Sequence, residues 1–275
     1  MFTARDKAFF DTFGYLVCPG LVADSIDWII AGFEENFRSR NVAHDGTKRT
    51  MFPESFIDSN ERLCTLLDHP GVLAVGELVM GKDFNYAGGD GNLYAGDTGW
   101  HSDLIPPTPE GIALKLGVLN VKIAFYLDPV TKDTGALRVI PGSHRIDDSY
   151  GRLLHEQVMN SKETLGIDGR DVPCVALESK PGDVVVFNHL LKHAAYGGDK
   201  RRRMFTMNCF EYCDTPEKRK MNADIFAFYG GEGAEKLFSE TMLRTASPAR
   251  RRHLDHALEF QPGMAAVARA RLVGG

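Results

Sequence analysis

The apolar positions change their spacing twice along the chain. Over residues 4–13 they keep a helical interval, with Phe9, Phe10 and Phe13 on one side, and Gly14 stops the run. Tyr15-Leu16-Val17 then reads as a short strand closed by Pro19-Gly20. Asp24 and Ser25 are candidate N-caps of a helix to about Arg40, with Ile26, Ile29, Ile30, Phe33 and Phe37 as its buried stripe. Residues 41–60 are polar and mixed, and read as loop. Residues 61–80 fit another helix, which Pro70-Gly71 could split in two.

After Gly81 the spacing changes. Gly88-Gly89-Asp90-Gly91 is a turn, and short β-like runs follow between Gly, Pro and Asp breaks. The clearest cover 116–127, 136–140, 172–177, 183–188 and 202–212. They predict an antiparallel sandwich or barrel. Residues 148–170 interrupt them as a longer polar loop with room for a helical turn. Beyond Pro216 helical spacing returns, notably over 232–244 and 248–259. With no internal repeat or low-complexity linker, the chain reads as one domain over 1–275. Its helical parts lie at about 1–80 and 216–260, around a β-core at about 82–213.

Composition narrows the class. The 275 residues are 43% apolar and carry 32 basic against 37 acidic side chains, a net charge of −5. That argues against a disordered chain or a fibre, and the mild acidity gives no footprint for nucleic acid or an anionic membrane. The longest nearly apolar stretch, 71–81, contains Glu77 and is too short to span a bilayer. No signal peptide is evident, and five cysteines suit a reducing compartment, so the expected location is cytoplasmic. Cys209 and Cys213 lack the second pair a zinc site would need and read as buried thiols. Arg244, Arg250, Arg251, Arg252 and His253 read as the solvated face of a terminal helix.

The central chemical feature is Trp100-His101-Ser102-Asp103. His and Asp two positions apart on a strand point to the same face, so one imidazole and one carboxylate reach one metal ion. The best third ligand is His193, with His189 as its competitor; strand parity does not separate them. His193 is followed by Ala194-Ala195 and Gly197-Gly198, which leave room beside a metal. Two His and one carboxylate with open positions is the arrangement of non-haem Fe(II) oxygenases. Arg201-Arg202-Arg203 opens the next strand. A buried arginine binds a carboxylate through its fork. Alternation groups Arg202 with Met204, Thr206 and Asn208, and that polar face favours Arg202 over Arg203.

These residues resemble the phytanoyl-CoA dioxygenase family of Fe(II)/2-oxoglutarate-dependent oxygenases. The resemblance runs through the N-terminal helix and strand (Phe9 to Gly20), the His101-Ser102-Asp103 site and Tyr126-Leu127-Asp128. It continues through Gly135-Ala136-Leu137-Arg138-Val139-Ile140-Pro141-Gly142-Ser143-His144, then Gly182-Asp183, His193 and Arg202-Arg203. It implies a mainly β fold with flanking helices, a double-stranded β-helix (cupin-like jelly roll). It implies His101, Asp103 and His193 as iron ligands and catalytic centre, with 2-oxoglutarate and dioxygen as co-reactants. Arg202, or less favourably Arg203, would bind the distal carboxylate of 2-oxoglutarate, with Thr206 and Asn208 as further contacts. His144 reads as structural. Related halogenases replace the carboxylate ligand with a small residue; Asp103 is present here, which favours hydroxylation or another halide-free oxidation.

The expected partner is a small organic metabolite, neither nucleic acid nor membrane, and the oligomeric state is open. Tyr94, Trp100, Leu104 and Ile105 are substrate candidates, and Lys122 is one if it faces inward rather than snorkelling at the barrel edge. Residues 41–60 and 148–170 are candidate lids by length and polarity. The rival readings are a zinc hydrolase built on the same residues and a non-catalytic jelly-roll binding protein.

Overall fold

A computed structural model describes residues 1–103, 117–146, 148–198, 201–229 and 236–266. Its contacts divide the chain into two compact units. One holds Met1–Pro53, Asp90–Lys115 and Val121–Thr206; the other holds Glu54–Gly89, Leu116–Asn120 and Met207–Gly275.

The first unit opens with α1 (Ala4–Phe13) and β1 (Tyr15–Cys18). Gly14 ends α1 in a left-handed conformation, φ 83°, where the His144 ring lies so close that a Cβ would come within 2.5 Å of its Nδ1. Only Phe10 of the three predicted aromatic positions is buried. Phe9 and Phe13 are 40% and 39% exposed and pack on each other, with Phe9 edge-on to Tyr15. Helix α2 (Ile26–Ser39) buries Ile29, Phe33 and Phe37 of its predicted stripe, while Ile26 and Ile30 are half-buried. The strands are β2 (Thr50–Met51), β4 (Gly91–Tyr94), β5 (Thr98–His101), β6 (Asn120–Tyr126), β7 (Leu137–Val139), β8 (Val175–Leu177), β9 (Val184–Asn188), β10 (His193–Ala195) and β11 (Arg202–Phe210); β3 belongs to the second unit.

They form two antiparallel sheets, the arrangement of a double-stranded β-helix. One has the order β1-β9-β6-β11-β4-β2 and the other β5-β10-β7-β8. Between them lie Ala124, Val185, Phe187, Leu137, Val139, Leu177 and Leu191, with Tyr126 at the edge of the cluster. Alternation on β6 supplies Ala124 and Tyr126 and on β9 supplies Val185 and Phe187, and the same alternation on β6 adds Lys122. The segment predicted as a polar loop is largely helical: α5 (Ser149–Val158) and α6 (Ser161–Thr164). Asp148 caps α5 by accepting from Gly151 N, and Val158 packs with Trp100, Ile140, Val172 and Ala194.

In the second unit, residues 61–80 split as the proline suggests, into α3 (Glu61–Cys64), a 3₁₀ turn (Thr65–Asp68) and α4 (Pro70–Met80). β3 (Asn85–Tyr86) pairs with the end of β11. Further helices are α7 (Pro216–Tyr229), α8 (Glu240–Thr245), α9 (Pro248–Arg251) and α10 (Asp255–Leu258). The predicted helix over 248–259 is broken because the His253 carbonyl accepts from Tyr86 N, while its ring donates to Phe84 O. The solvated reading of the basic group fails for two of its members. Arg250 is 3% exposed and ion-paired with Asp68, and His253 is buried. All five cysteines are free thiols, and burial pushes the Cys64 and Cys213 thiols up to about 12. Among the described residues no single helix is long and apolar enough to cross a membrane.

Candidate active site

Strand pairing brings the two histidines together. His101 on β5 lies opposite His193 on β10, with ring centroids 4.1 Å apart. Each ring donates Nδ1–H to the carbonyl two residues earlier: Gly99 O at 2.8 Å for His101, Leu191 O at 2.9 Å for His193. That bond assigns the proton to Nδ1 and leaves the Nε2 lone pair for a metal. Both Nε2 atoms face one carboxylate oxygen, Asp103 Oδ1, at 3.9 and 3.8 Å. One donor atom from each of the three residues lies within 4.8 Å of the others. This is a set one ion can bind. The geometry brings in His193, not its competitor His189.

Asp103 reaches the site by a different local route from the one alternation suggests. β5 ends at His101, and Asp103 lies in a turn beyond it. Asp103 N donates to His189 O at 2.9 Å, and Ser102 Oγ donates to Leu190 O at 2.9 Å. His189 therefore serves the site through its backbone. The Pro141-Gly142-Ser143-His144 turn clasps the residue before His193. Ile140 N donates to Lys192 O at 3.0 Å, Lys192 N to Ser143 Oγ at 2.9 Å, and Ser143 Oγ to Ile140 O at 2.6 Å. His144 packs against Gly14 and meets Asp11 O, a structural position.

The charges are arranged for ligation. Burial alone would raise the Asp103 carboxyl, but the Lys122 ammonium and then the neighbouring imidazoles outweigh it and hold the group below the usual carboxylate range. Burial pushes His193 down to about 3 and His189 to about 4, so both imidazoles are neutral at pH 7. Lys122 faces inward, with Nζ 3.0 Å from Asp103 Oδ2 and only 15% of its side chain exposed. Burial disfavours its charge, yet Asp103 and Asp90 together raise its pKa.

The two candidate arginines have different surroundings. Arg203 donates to Asp128 at 2.6 Å and to Glu34 at 2.9 Å, and its pKa is raised, chiefly by Asp128. Arg202 is 7% exposed and lies in a glycine cradle: a Cβ on Gly135 or Gly198 would come 2.1 or 1.2 Å from its Nη1. Its Nη2 donates to Gly96 O at 3.3 Å, and its guanidinium lies 5.6 Å from the Tyr94 ring centre, opposite it in the β4–β11 pairing. Tyr94 also stacks under Arg49 at 4.8 Å.

The other predicted contacts have their own surroundings. Thr206 donates to Asp90 Oδ1 at 3.0 Å. Asn208 belongs to the second unit, where its backbone pairs with Ala87 and Gly88. Trp100 is buried in the cluster with Val158, and its indole N–H donates to Gly169 O at 2.7 Å. Leu104 and Ile105 lie outside the described residues. Two further residues lie beside the site without a role that the sequence pattern marks, Asp90 and Tyr126; Asp90 sits in a glycine turn, where the polar alternation Asp90-Asn92-Tyr94 is the available signal. Tyr126 shares its strand face with Lys122, and its raised pKa comes first from burial, with Tyr94 and Arg202 among its electrostatic neighbours.

The sheets and the His/Asp/His set together define a non-haem iron, 2-oxoglutarate-dependent oxygenase. A family model, phytanoyl-CoA dioxygenase, matches residues 10–204, and the chain belongs to that family. No curated protein matches it in sequence. Solved structures share its fold at low identity. HygX from Streptomyces hygroscopicus, with nickel and 2-oxoglutarate bound, is 17% identical at TM-score 0.60, covering 80% of this chain and 94% of its own. The non-haem α-ketoglutarate-dependent epimerase SnoN from nogalamycin biosynthesis is 15% identical at TM-score 0.54, covering 76% and 82%. EctD from S. alaskensis is 20% identical at TM-score 0.53, covering 75% and 76%.

Proposed function

We propose that this oxygenase hydroxylates a C–H bond of a small organic metabolite, with His101, Asp103 and His193 holding Fe(II). The observation that carries the ligand assignment is the convergence of two Nε2 atoms on one carboxylate oxygen. The donor set suits the ion: two imidazole nitrogens and one carboxylate oxygen leave coordination positions open for 2-oxoglutarate and dioxygen. Iron with these co-reactants supplies the two-electron oxidation, in which one oxygen atom enters the substrate and the other enters succinate, with release of carbon dioxide.

The protein's own residues bind and orient. Arg202 offers its fork to the distal carboxylate of 2-oxoglutarate, and the Gly135 and Gly198 cradle gives it room. Arg203 is committed to Asp128 and Glu34 and holds strands instead. Phe187, whose ring lies 4.9 Å from His193, and Leu191 keep water from the side of the site that faces the core. Tyr94 and Lys122 lie at the polar side, where substrate would be recognised. SnoN acts in nogalamycin biosynthesis, which supports a small-molecule substrate here, and its epimerisation makes hydroxylation the finer claim to test.

The test is a metabolite screen for substrate-stimulated succinate release with Fe(II), ascorbate and 2-oxoglutarate, followed by mass analysis of the product. A product heavier by one oxygen atom supports hydroxylation. A product of unchanged mass points to epimerisation, and turnover without dioxygen points to the zinc-hydrolase reading. Release that persists in the His101→Ala, His193→Ala double variant contradicts the ligand assignment.

A further inference from the structure

Asp103 divides its two oxygens between different partners. Oδ1 is almost equidistant from the two Nε2 atoms, at 3.9 and 3.8 Å. Oδ2 is 3.0 Å from Lys122 Nζ. A lysine this deeply placed costs desolvation free energy and needs a compensating charge. Asp103 supplies it at contact distance, and Asp90 adds a second negative charge nearby. Asp90 is itself fixed on both oxygens. Thr206 Oγ1 donates to Oδ1 at 3.0 Å, while Asn92 Nδ2 and Arg49 Nη2 donate to Oδ2 at 2.6 and 3.0 Å. Arg49 also donates to Asn92 Oδ1 at 2.7 Å. Arg49, Asn92 and Thr206 thus fix Asp90, whose charge acts on Lys122 across space, and Lys122 in turn contacts Asp103.

We infer that Lys122 is a positioning residue that reserves Oδ2 of Asp103, so that the carboxylate meets the ion through Oδ1 alone. The inference rests on the ligand assignment proposed above. A carboxylate free to bind through both oxygens takes a position that a bidentate 2-oxoacid needs. Holding one oxygen with an ammonium keeps that position open, and Asp90, fixed by its three donors, adds a second negative charge near that ammonium. Loss of such outer partners of metal ligands commonly changes affinity or activity by about 10–100-fold.

The experiment uses Co(II) as a spectroscopic substitute for Fe(II), with the full-length protein and the variants Lys122→Met, Lys122→Gln and Lys122→Arg. Two quantities are read: the Co(II) absorption spectrum without cosubstrate, and 2-oxoglutarate affinity by calorimetry. We expect Lys122→Met and Lys122→Gln to change the visible Co(II) bands before any cosubstrate is added. Both should weaken 2-oxoglutarate binding by about tenfold or more, and Lys122→Arg should restore both readouts toward wild type. Unchanged Co(II) bands with weakened cosubstrate binding would mean that Lys122 binds 2-oxoglutarate directly, and would overturn the inference. Unchanged values of both would overturn it too. If His101→Ala leaves wild-type Co(II) binding intact, the ligand assignment itself fails, and that outcome is separate from anything the Lys122 variants do.

Discussion

Two neighbouring arginines, Arg202 and Arg203, carry the same charge into opposite settings. Arg203 is satisfied by Asp128 and Glu34, whereas Arg202 sits where two glycines make space for its fork. Arg202→Ala should therefore raise the 2-oxoglutarate Kd about thirtyfold or more, the loss of about 2 kcal/mol expected when a buried charge loses its partner. Arg203→Ala should lower thermal stability and leave that Kd within a few-fold; calorimetry with the loaded enzyme separates the two, and the reverse pattern would contradict the assignment. His155 gives a pH prediction. Burial, helped by the Lys192 charge, pushes its imidazole from the ordinary 6.5 down to about 4. The unfolded chain accordingly takes up a proton that the folded chain refuses, so this contribution to stability is full above 6.5 and is lost as pH falls toward 4. The urea midpoint of the metal-free protein should drop across that window, and His155→Gln should flatten the drop. Part of this chemistry is legible in sequence: the motif gives His101 and Asp103, whereas alternation on β6 leaves Lys122 open between the core and the rim. Asp90 is not legible, because its role comes from Thr206, Asn92 and Arg49, which only the folded strands assemble around it.

Elements follow the sequence where burial is periodic and depart from it where tertiary bonds intervene. Helices α1 and α2 and strands β6, β9 and β11 appear where apolar spacing places them. The helix expected at 248–259 breaks because the His253 carbonyl is taken by β3. The supposed loop at 148–170 is helical because Asp148 caps it and Val158 finds an apolar partner in Trp100. The most informative element is the turn from Pro141 to His144. Ser143 Oγ is both acceptor for Lys192 N and donor to Ile140 O, so it fixes the backbone on which His193 stands. Ser143→Ala leaves the Lys192 amide without its acceptor and should cost about 1–3 kcal/mol. It should also weaken Co(II) affinity, because His193 loses its support. Denaturant unfolding and metal titration measure the two effects, and a stability loss with unchanged metal affinity would reduce the turn to a purely structural role.

For the whole molecule, the ordinary net charge of −5 says little about what the chain does. The proposed function rests instead on a few charges inside the first unit, Asp103, Asp90, Lys122 and Arg202. The fold is shared with enzymes that are at most 20% identical among those compared, including an epimerase, so the architecture alone does not choose the reaction. The proposed reading is an iron site on His101, Asp103 and His193, with Arg202 receiving the far end of a chelating 2-oxoacid. Anaerobic titration of the protein with Fe(II) and 2-oxoglutarate tests this most directly. The account predicts a visible metal-to-ligand charge-transfer band that saturates at one equivalent of each, is lost in His101→Ala and His193→Ala, and needs a higher 2-oxoglutarate concentration in Arg202→Ala. A protein that gives no such band, or one that keeps it after both histidines are replaced, would contradict the account.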